Sequence, residues 1–306
     1  MPSIKTALSI KNATKVLGVA TLTGLAVGLA APAAHASPIP PKASSVLFGT
    51  WVNTNAGSNS VKQVVVSPAR IGNVTVDAFG ACVPTYCEWG KVPAIVYGAN
   101  VSSTTGAIFQ TNQRFLSGGK EWSRTALLGQ VVKTSVGLRL HLRELTVFED
   151  GSGRKNYEVD ETFKLGKGQA PATAGSSVGT YPLGNRPALN AGALGNWVNA
   201  SPTGGLAKLT IGGPAASPTV HAFGQCSPTA CDWGTVRTIT YGTSISSTVG
   251  SKLLAPYRFS FKKTQLAITY HRSPKGVQTL TVTSYNEFTD GSGRSNYAKT
   301  DTLVRP

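Results

Sequence analysis

Two cysteines lie five residues apart, at Cys82 and Cys87, and the same spacing returns at Cys226 and Cys231. Each pair runs into an acid and a tryptophan: Glu88-Trp89-Gly90 in one place, Asp232-Trp233-Gly234 in the other. Between 78–90 and 222–234 the two stretches agree at nine of thirteen positions. A second block matches as closely. Asp150-Gly151-Ser152-Gly153-Arg154 with Asn156-Tyr157 corresponds to Asp290-Gly291-Ser292-Gly293-Arg294 with Asn296-Tyr297.

Four thiols could hold zinc only if they met at one point, and no paired histidines accompany either pair, so no metal site is expected. In an oxidising compartment the chemistry is instead two local disulfides, Cys82–Cys87 and Cys226–Cys231. Each bridge would stiffen the loop that presents the acid and the indole. Trp89 and Trp233 then have two readings. Either the ring packs over the bridge and caps the core, or it stands exposed with Glu88 or Asp232 beside it as an acceptor. The second arrangement suits a sugar ring. The Asp-Gly-Ser-Gly-Arg block is first a hairpin connection, in which Asp150 pairs with Arg154 and Asp290 with Arg294. Its Asp, Arg, Asn and Tyr also form a compact donor–acceptor set on a loop, where binding residues are often placed. A calcium loop is disfavoured, because too few oxygen ligands alternate.

A search for catalytic groups returns little. His141, His221 and His271 have no histidine at the matching place in the other copy, where Thr281 answers His141 and Asp77 answers His221. The Gly-x-Ser-x-Gly spacing occurs once, at 175–179 in the Gly-, Ala-, Pro- and Ser-rich stretch, where no strand-to-helix elbow is expected. The repeated acid pairs, Glu88 with Asp150 and Asp232 with Asp290, are the only ones suited to glycosidase work. The expectation is a protein without catalytic residues or cofactor, with a small hydrolase as the third-ranked reading. Arg139, His141 and Arg143 alternate with Leu138, Leu140 and Leu142, whereas the second copy has Thr279, Thr281 and Thr283 there. Such a row cannot be a requirement of the fold, and it reads as a solvated strand face.

These residues are carried by two copies of one unit. Residues 1–36 read as a signal peptide: Lys5, Lys11 and Lys15 precede an apolar stretch at 16–31, and Ala34-His35-Ala36 offers a cleavage site. Cleavage near Ala36 predicts a secreted chain without a membrane span, and it lowers the formal charge from +16 to +13. The basic excess is greater in the second copy. It favours anionic partners outside the cell, but no arginine-rich arm appears, so nucleic acid is not expected. After an N-terminal tail at 37–44, the first copy spans 45–165 and the second 194–306. Between them, 166–193 is rich in Gly, Ala, Pro and Ser and reads as a flexible tether. Each copy carries its own strands, cysteines and tryptophans, and is expected to fold alone.

Both copies read as β. Val74, Val76 and Ala78 alternate with Thr75, Asp77 and Phe79, and runs at 61–66, 93–97, 138–142, 237–241, 257–261 and 266–270 are similar. Gly, Pro, Ser and Asn clusters separate them, and 272–276 reads as a hairpin turn. The fold class is therefore all-β: two tandem homologous antiparallel barrels, or sandwiches, joined by a linker. Gly49-Thr50-Trp51-Val52-Asn53 and the up-and-down rhythm resemble the start of avidin- and lipocalin-type barrels. That resemblance implies a closed barrel, a tryptophan plugging one end and a small-ligand cavity. The Trp-x-Asn, Cys-x-Pro-x-x-Cys-[Asp/Glu]-Trp-Gly and Asp-Gly-Ser-Gly-Arg-x-Asn-Tyr motifs together resemble a duplicated secreted bacterial module. It implies export and repetition, and no chemistry. The leading expectation is a non-catalytic protein that binds an extracellular glycan or cell-wall polymer. The alternative is a protein-binding module that inhibits an exported peptidase through its stiffened loops.

Overall fold

The computed structural model describes residues 41–306 except 71–72, 84, 170–185, 202 and 204. The segment expected to be a signal peptide, Pro84 and the middle of the expected linker thus lie outside the described residues. The first copy contains β1 (Lys42–Ala43), β2 (Gly49–Asn53), β3 (Val61–Pro68), β4 (Val74–Gly80), β5 (Cys87–Tyr97), β6 (Thr105–Gly106), β7 (Ile108–Ser117), β8 (Lys120–Thr134), β9 (Gly137–Phe148) and β10 (Tyr157–Leu165). The second contains β11 (Ala188–Leu189), β12 (Gly195–Asn199), β13 (Leu206–Gly212), β14 (Thr219–Gly224), β15 (Cys231–Arg237), β16 (Ile239–Tyr241), β17 (Val249–Gly250), β18 (Lys252–Arg258), β19 (Lys262–Arg272), β20 (Gln278–Phe288) and β21 (Tyr297–Val304). No α-helix occurs among the described residues, and none is long and apolar enough to cross a membrane.

Strands β2, β3, β4, β5, β7, β8, β9 and β10 pair in chain order, and β10 returns to β2 to close an eight-stranded antiparallel barrel. Full closure leaves no exposed edge. The second copy forms a nine-stranded sheet whose end strands are β15 and β16. Only Thr238 separates those two. They correspond to the single β5 of the first copy, so this sheet also comes round upon itself and is nearly closed.

Inward residues alternate as a half-buried strand requires. Val64, Val76, Phe109, Leu127, Leu142 and Phe163 fill the first barrel, and Leu209, Val220, Leu266, Val282 and Leu303 the second. Trp51 and Trp197 are fully buried at the closed ends. Their indole N–H groups donate to the carbonyls of Leu47 and Ala193, each at 2.9 Å.

Two short parallel strand pairs extend both barrels beyond the ends expected for the copies. Residues 42–43, placed in the tail by composition, pair with Thr105–Gly106, and Leu47 is buried against Trp51. Residues 188–193, placed in the linker, pair with Val249–Gly250 and put Leu189 and Ala193 into the second core. The second of these segments, rich in Ala and Gly, looks like linker by composition, and what identifies it is the Trp197 indole that its Ala193 carbonyl satisfies.

The two barrels also pack directly against each other. Tyr97, Ala126, Leu128, Leu145 and Val147 on the outside of the first barrel form one buried cluster with Tyr241, Leu254, Ala267, Tyr285 and Ala298 on the outside of the second. The contact is reciprocal. Gly98 N–H donates to Asn296 O at 2.9 Å and Ala298 N–H to Gly98 O at 3.0 Å. At the matching places, Gly242 N–H donates to Asn156 O and Glu158 N–H to Gly242 O, both at 2.9 Å. This is the self-complementary pattern of a two-fold interface, here within one chain. Gly98 and Gly242 lie at closed ends, whereas Asn156 and Asn296 lie at the open ends. The barrels are therefore antiparallel, and their mouths face opposite ways.

The cation row also divides. His141 is exposed, but the Arg143 side chain is only 17% exposed and pairs with Glu158 at 3.0 Å in the interface. Its position is explained by contact between copies and not by solvent.

A candidate ligand-binding mouth on the second barrel

The disulfides bridge Cys82–Cys87 and Cys226–Cys231, with Cα–Cα 5.5 Å in both. Directly after each bridge the register slips. Asp77 faces Lys91 and Phe79 faces Glu88, so Trp89 and Gly90 share one partner; Trp233 and Gly234 do the same between His221 and Phe223. Gly90 and Gly234 have φ of +92° and +76°, values that favour glycine. Each bulge turns its indole across the barrel mouth and onto the backbone of the neighbouring strand. A Cβ on Gly80 would meet Trp89 Nε1 at 2.5 Å, and one on Gly224 would meet Trp233 Nε1 at 2.6 Å. Gly224→Ala is thus expected to displace the indole and destabilise the protein by about 1–3 kcal/mol. A lowered melting temperature with an altered near-UV dichroism of tryptophan would verify it.

Both tryptophans are half-buried, between the two sequence readings. Trp89 meets Phe115 edge-on at 5.2 Å. Trp233 meets Tyr257 at 5.6 Å and Phe259 at 5.5 Å. The strand expected at 257–261 ends at Arg258, and Phe259 N–H closes a tight turn onto Lys262 O at 2.8 Å. That turn leaves Phe259 and Phe261 beside Trp233.

The Asp-Gly-Ser-Gly-Arg blocks fold onto themselves. Arg154 pairs with Asp150 and Arg294 with Asp290, both at 2.5 Å, and each Nε donates to the block's serine at 2.8 Å. The guanidinium carbons lie 4.1 Å from the centres of the Phe148 and Phe288 rings. The positive φ of Gly151, Gly153, Gly291 and Gly293 makes this tight return possible. Asn156 and Asn296 accept from the N–H groups of Phe148 and Phe288, while their own carbonyls reach the other barrel. Tyr157 and Tyr297 stack on those phenylalanines at 6.0 and 6.2 Å. The block is thus mainly a connector, with its arginine at the rim of the mouth.

Glu88 and Asp232 are exposed, and their partners differ between copies. Asp232 accepts from the Gly234 N–H and pairs with His221, each at 2.6 Å, which holds its carboxyl below the usual range. Glu88 faces another acid, Asp77, whose carboxyl is pushed up by burial and by Glu88. Neither acid joins the Asp of its own connector block, because that Asp is held by arginine. Among the described residues, no three of His, Cys, Asp or Glu gather as metal ligands would.

The second mouth is a half-open cleft of about 370 Å³, walled by Trp233, Phe259, Phe261 and Tyr297, with the Cys226–Cys231 bridge at the rim. Ligand clefts commonly begin near this size. Its floor contains residues that the sequence reading missed: Lys262, Ser284 and Asn286. Lys262 Nζ donates to Asn286 Oδ1 at 3.0 Å and lies 4.8, 5.3 and 5.9 Å from the rings of Trp233, Phe259 and Phe261. Burial, with Arg294 nearby, pushes its ammonium down to about 8. The available signal was periodicity. Lys262, Thr264 and Leu266 alternate, so a lysine falls on an inward position.

In the first mouth Ser123 stands where Lys262 does, and Glu144 stands where Ser284 does. Burial pushes the Glu144 carboxyl up to about 8, against the lowering effect of a Ser60 hydrogen bond. At this matched pair of positions one barrel thus carries an acid and the other a base. Compared with protein-family models and with curated proteins, the chain matches none of them. Its class is defined by architecture: a fused antiparallel pair of β-barrels, each with an aromatic mouth behind a disulfide-bridged loop.

Proposed function

We propose that this is an exported, non-catalytic binding protein that takes a sugar ring of an extracellular or cell-wall polymer in the mouth of the second barrel. The observation that carries the reading is the cleft itself: Trp233 and Phe259 wall a space of about 370 Å³ above hydrogen-bonding groups. Apolar sugar faces pack on aromatic rings while the floor groups orient the hydroxyls. A hydrolase is less well supported, since Asp232 is held by His221 and Asp290 by Arg294. With mouths facing opposite ways, two occupied barrels would bridge separate strands of polymer. They would not grip one strand twice.

Trp233→Ala should weaken retention on a bound polysaccharide about tenfold, or ~1.4 kcal/mol, with the barrel still folded. Affinity electrophoresis against a set of wall and capsular polysaccharides measures this. Folded wild-type protein that binds none of the set defeats the proposal. Inhibition of a panel of extracellular proteases would then favour the peptidase-inhibitor reading, for which the fully projecting Val83 on the first disulfide loop, 97% exposed, is the supporting feature.

A further inference from the structure

We infer that the floor of the second mouth is a carboxylate subsite, built for an acidic sugar such as a uronic acid, with Lys262 as the charged contact and Ser284 as a second donor. The inference rests on the proposed sugar-binding role and specifies its ligand.

Lys262 is only 9% exposed, and among the described residues it forms no ion pair. Its one hydrogen bond is to Asn286 Oδ1, a neutral acceptor already shared with the Thr264 hydroxyl at 2.9 Å. An ammonium has three protons to donate. A buried cation that is neither paired nor fully hydrogen-bonded is costly. Two residues before Asn286, on the same inward face of β20, the Ser284 hydroxyl is buried without any partner. An unused hydroxyl and an ammonium answered only by ring faces and one amide oxygen therefore border one open cleft.

The charged and titratable groups around the cleft leave this ammonium unanswered. Asp232 is engaged by His221 and the Gly234 N–H, Arg294 by Asp290, and the buried Asp301 by the N–H groups of Gly205 and Leu206. Lys299 donates to Thr203 O at 2.6 Å, and Tyr257 to Val220 O at 2.7 Å. Tyr297 lines the wall as a neutral phenol whose ionisation burial disfavours. The missing group is a single anion. A planar monoanionic carboxylate can use one ammonium and one hydroxyl, whereas a phosphate would leave oxygens facing the aromatic walls without donors. The first mouth offers the reverse, with Ser123 for Lys262 and buried Glu144 for Ser284, and should reject a carboxylate.

Titration calorimetry of the full chain tests this with trigalacturonate, its methyl ester and a glycerol-phosphate oligomer. The acid should bind at one site per chain, at least tenfold tighter than the ester at pH 7, and that preference should fade as pH rises past 9. Lys262→Ser, which installs the first barrel's residue, and Lys262→Met should remove the preference, bringing the affinity for the acid down to that for the ester in the same variant. Both variants should melt no lower than wild type, so loss of folding cannot mimic the result. Equal binding of acid and ester overturns the carboxylate subsite and leaves sugar binding standing. A preference for the glycerol phosphate, or an acid preference that survives in both variants, also overturns it. Binding of none of the three overturns both readings.

Discussion

Glu158→Ala should destabilise the protein by about 3–5 kcal/mol, the usual result of breaking a buried charge network by removing one partner. The Glu158 side chain is fully buried between the barrels and accepts from Arg143 Nε at 3.0 Å and Nη2 at 3.1 Å. Lys252 of the second barrel donates to the same carboxylate, and Arg143 Nη2 also donates to the Thr269 hydroxyl at 3.0 Å. Without the acid, two cations that are under a fifth exposed face each other across the interface. The two-fold counterpart of this network is neutral. Thr283, Ala298 and Ile108 occupy the places of Arg143, Glu158 and Lys252. The triple variant Arg143→Thr, Glu158→Ala, Lys252→Ile should therefore recover most of the loss, since replacing a buried ion network by apolar groups is often neutral. Denaturant unfolding of the single and triple variants measures both effects. A single variant as stable as wild type would mean that water reaches the network. The same interface revises the expectation that each copy folds alone. A separated barrel would expose Tyr97, Leu128, Leu145 and Val147, and should self-associate.

Stability should pass through a minimum near pH 8. Glu144 has a folded-state value of about 8 against 4.5 for a free glutamate. Between those values the folded state holds a proton that the unfolded state has released, so stability falls as pH rises from about 4.5 to 8. Lys262 has a folded-state value of about 8 against 10.5 for a free lysine. Between these the unfolded state holds the extra proton, so stability recovers as pH rises from 8 toward 10.5. At 1.36 kcal/mol per pK unit, the falling limb could reach roughly 5 kcal/mol and the rising limb roughly 3. Buried Tyr97, Tyr241, Tyr257 and Tyr285, whose ionisation is displaced upward, turn the curve down again above about pH 10. Glu144→Gln should remove the falling limb and Lys262→Met the rising one. Thermal melts from pH 5 to 10 would record these shapes. A wild-type curve flat across that range would contradict both assignments.

The chain's own residues determined the all-β class, the two copies and the disulfides, because these depend on local facts. A period of two specifies a half-buried strand wherever it occurs, and cysteines five apart can meet within one loop. The glycines of the Asp-Gly-Ser-Gly-Arg blocks likewise announce a turn. Other features depend on which strands become neighbours. The role of the repeated Trp-Gly pair needed the register of β5 on β4 and of β15 on β14, since only the bulge carries each indole to its glycine. Residues 42–43 look like spacer until they pair with Thr105–Gly106, and 188–193 until Trp197 needs the Ala193 carbonyl. Arg143 reads as a solvated cation on its own strand and becomes a buried one because Glu158 and Lys252 meet it from two other strands. Lys262 is one more basic residue in a basic sequence. The tight turn at 259–262 sets it beside Phe259 and Phe261, and only the coming round of the sheet adds Trp233, because alternation specifies which way a side chain points but not what stands opposite.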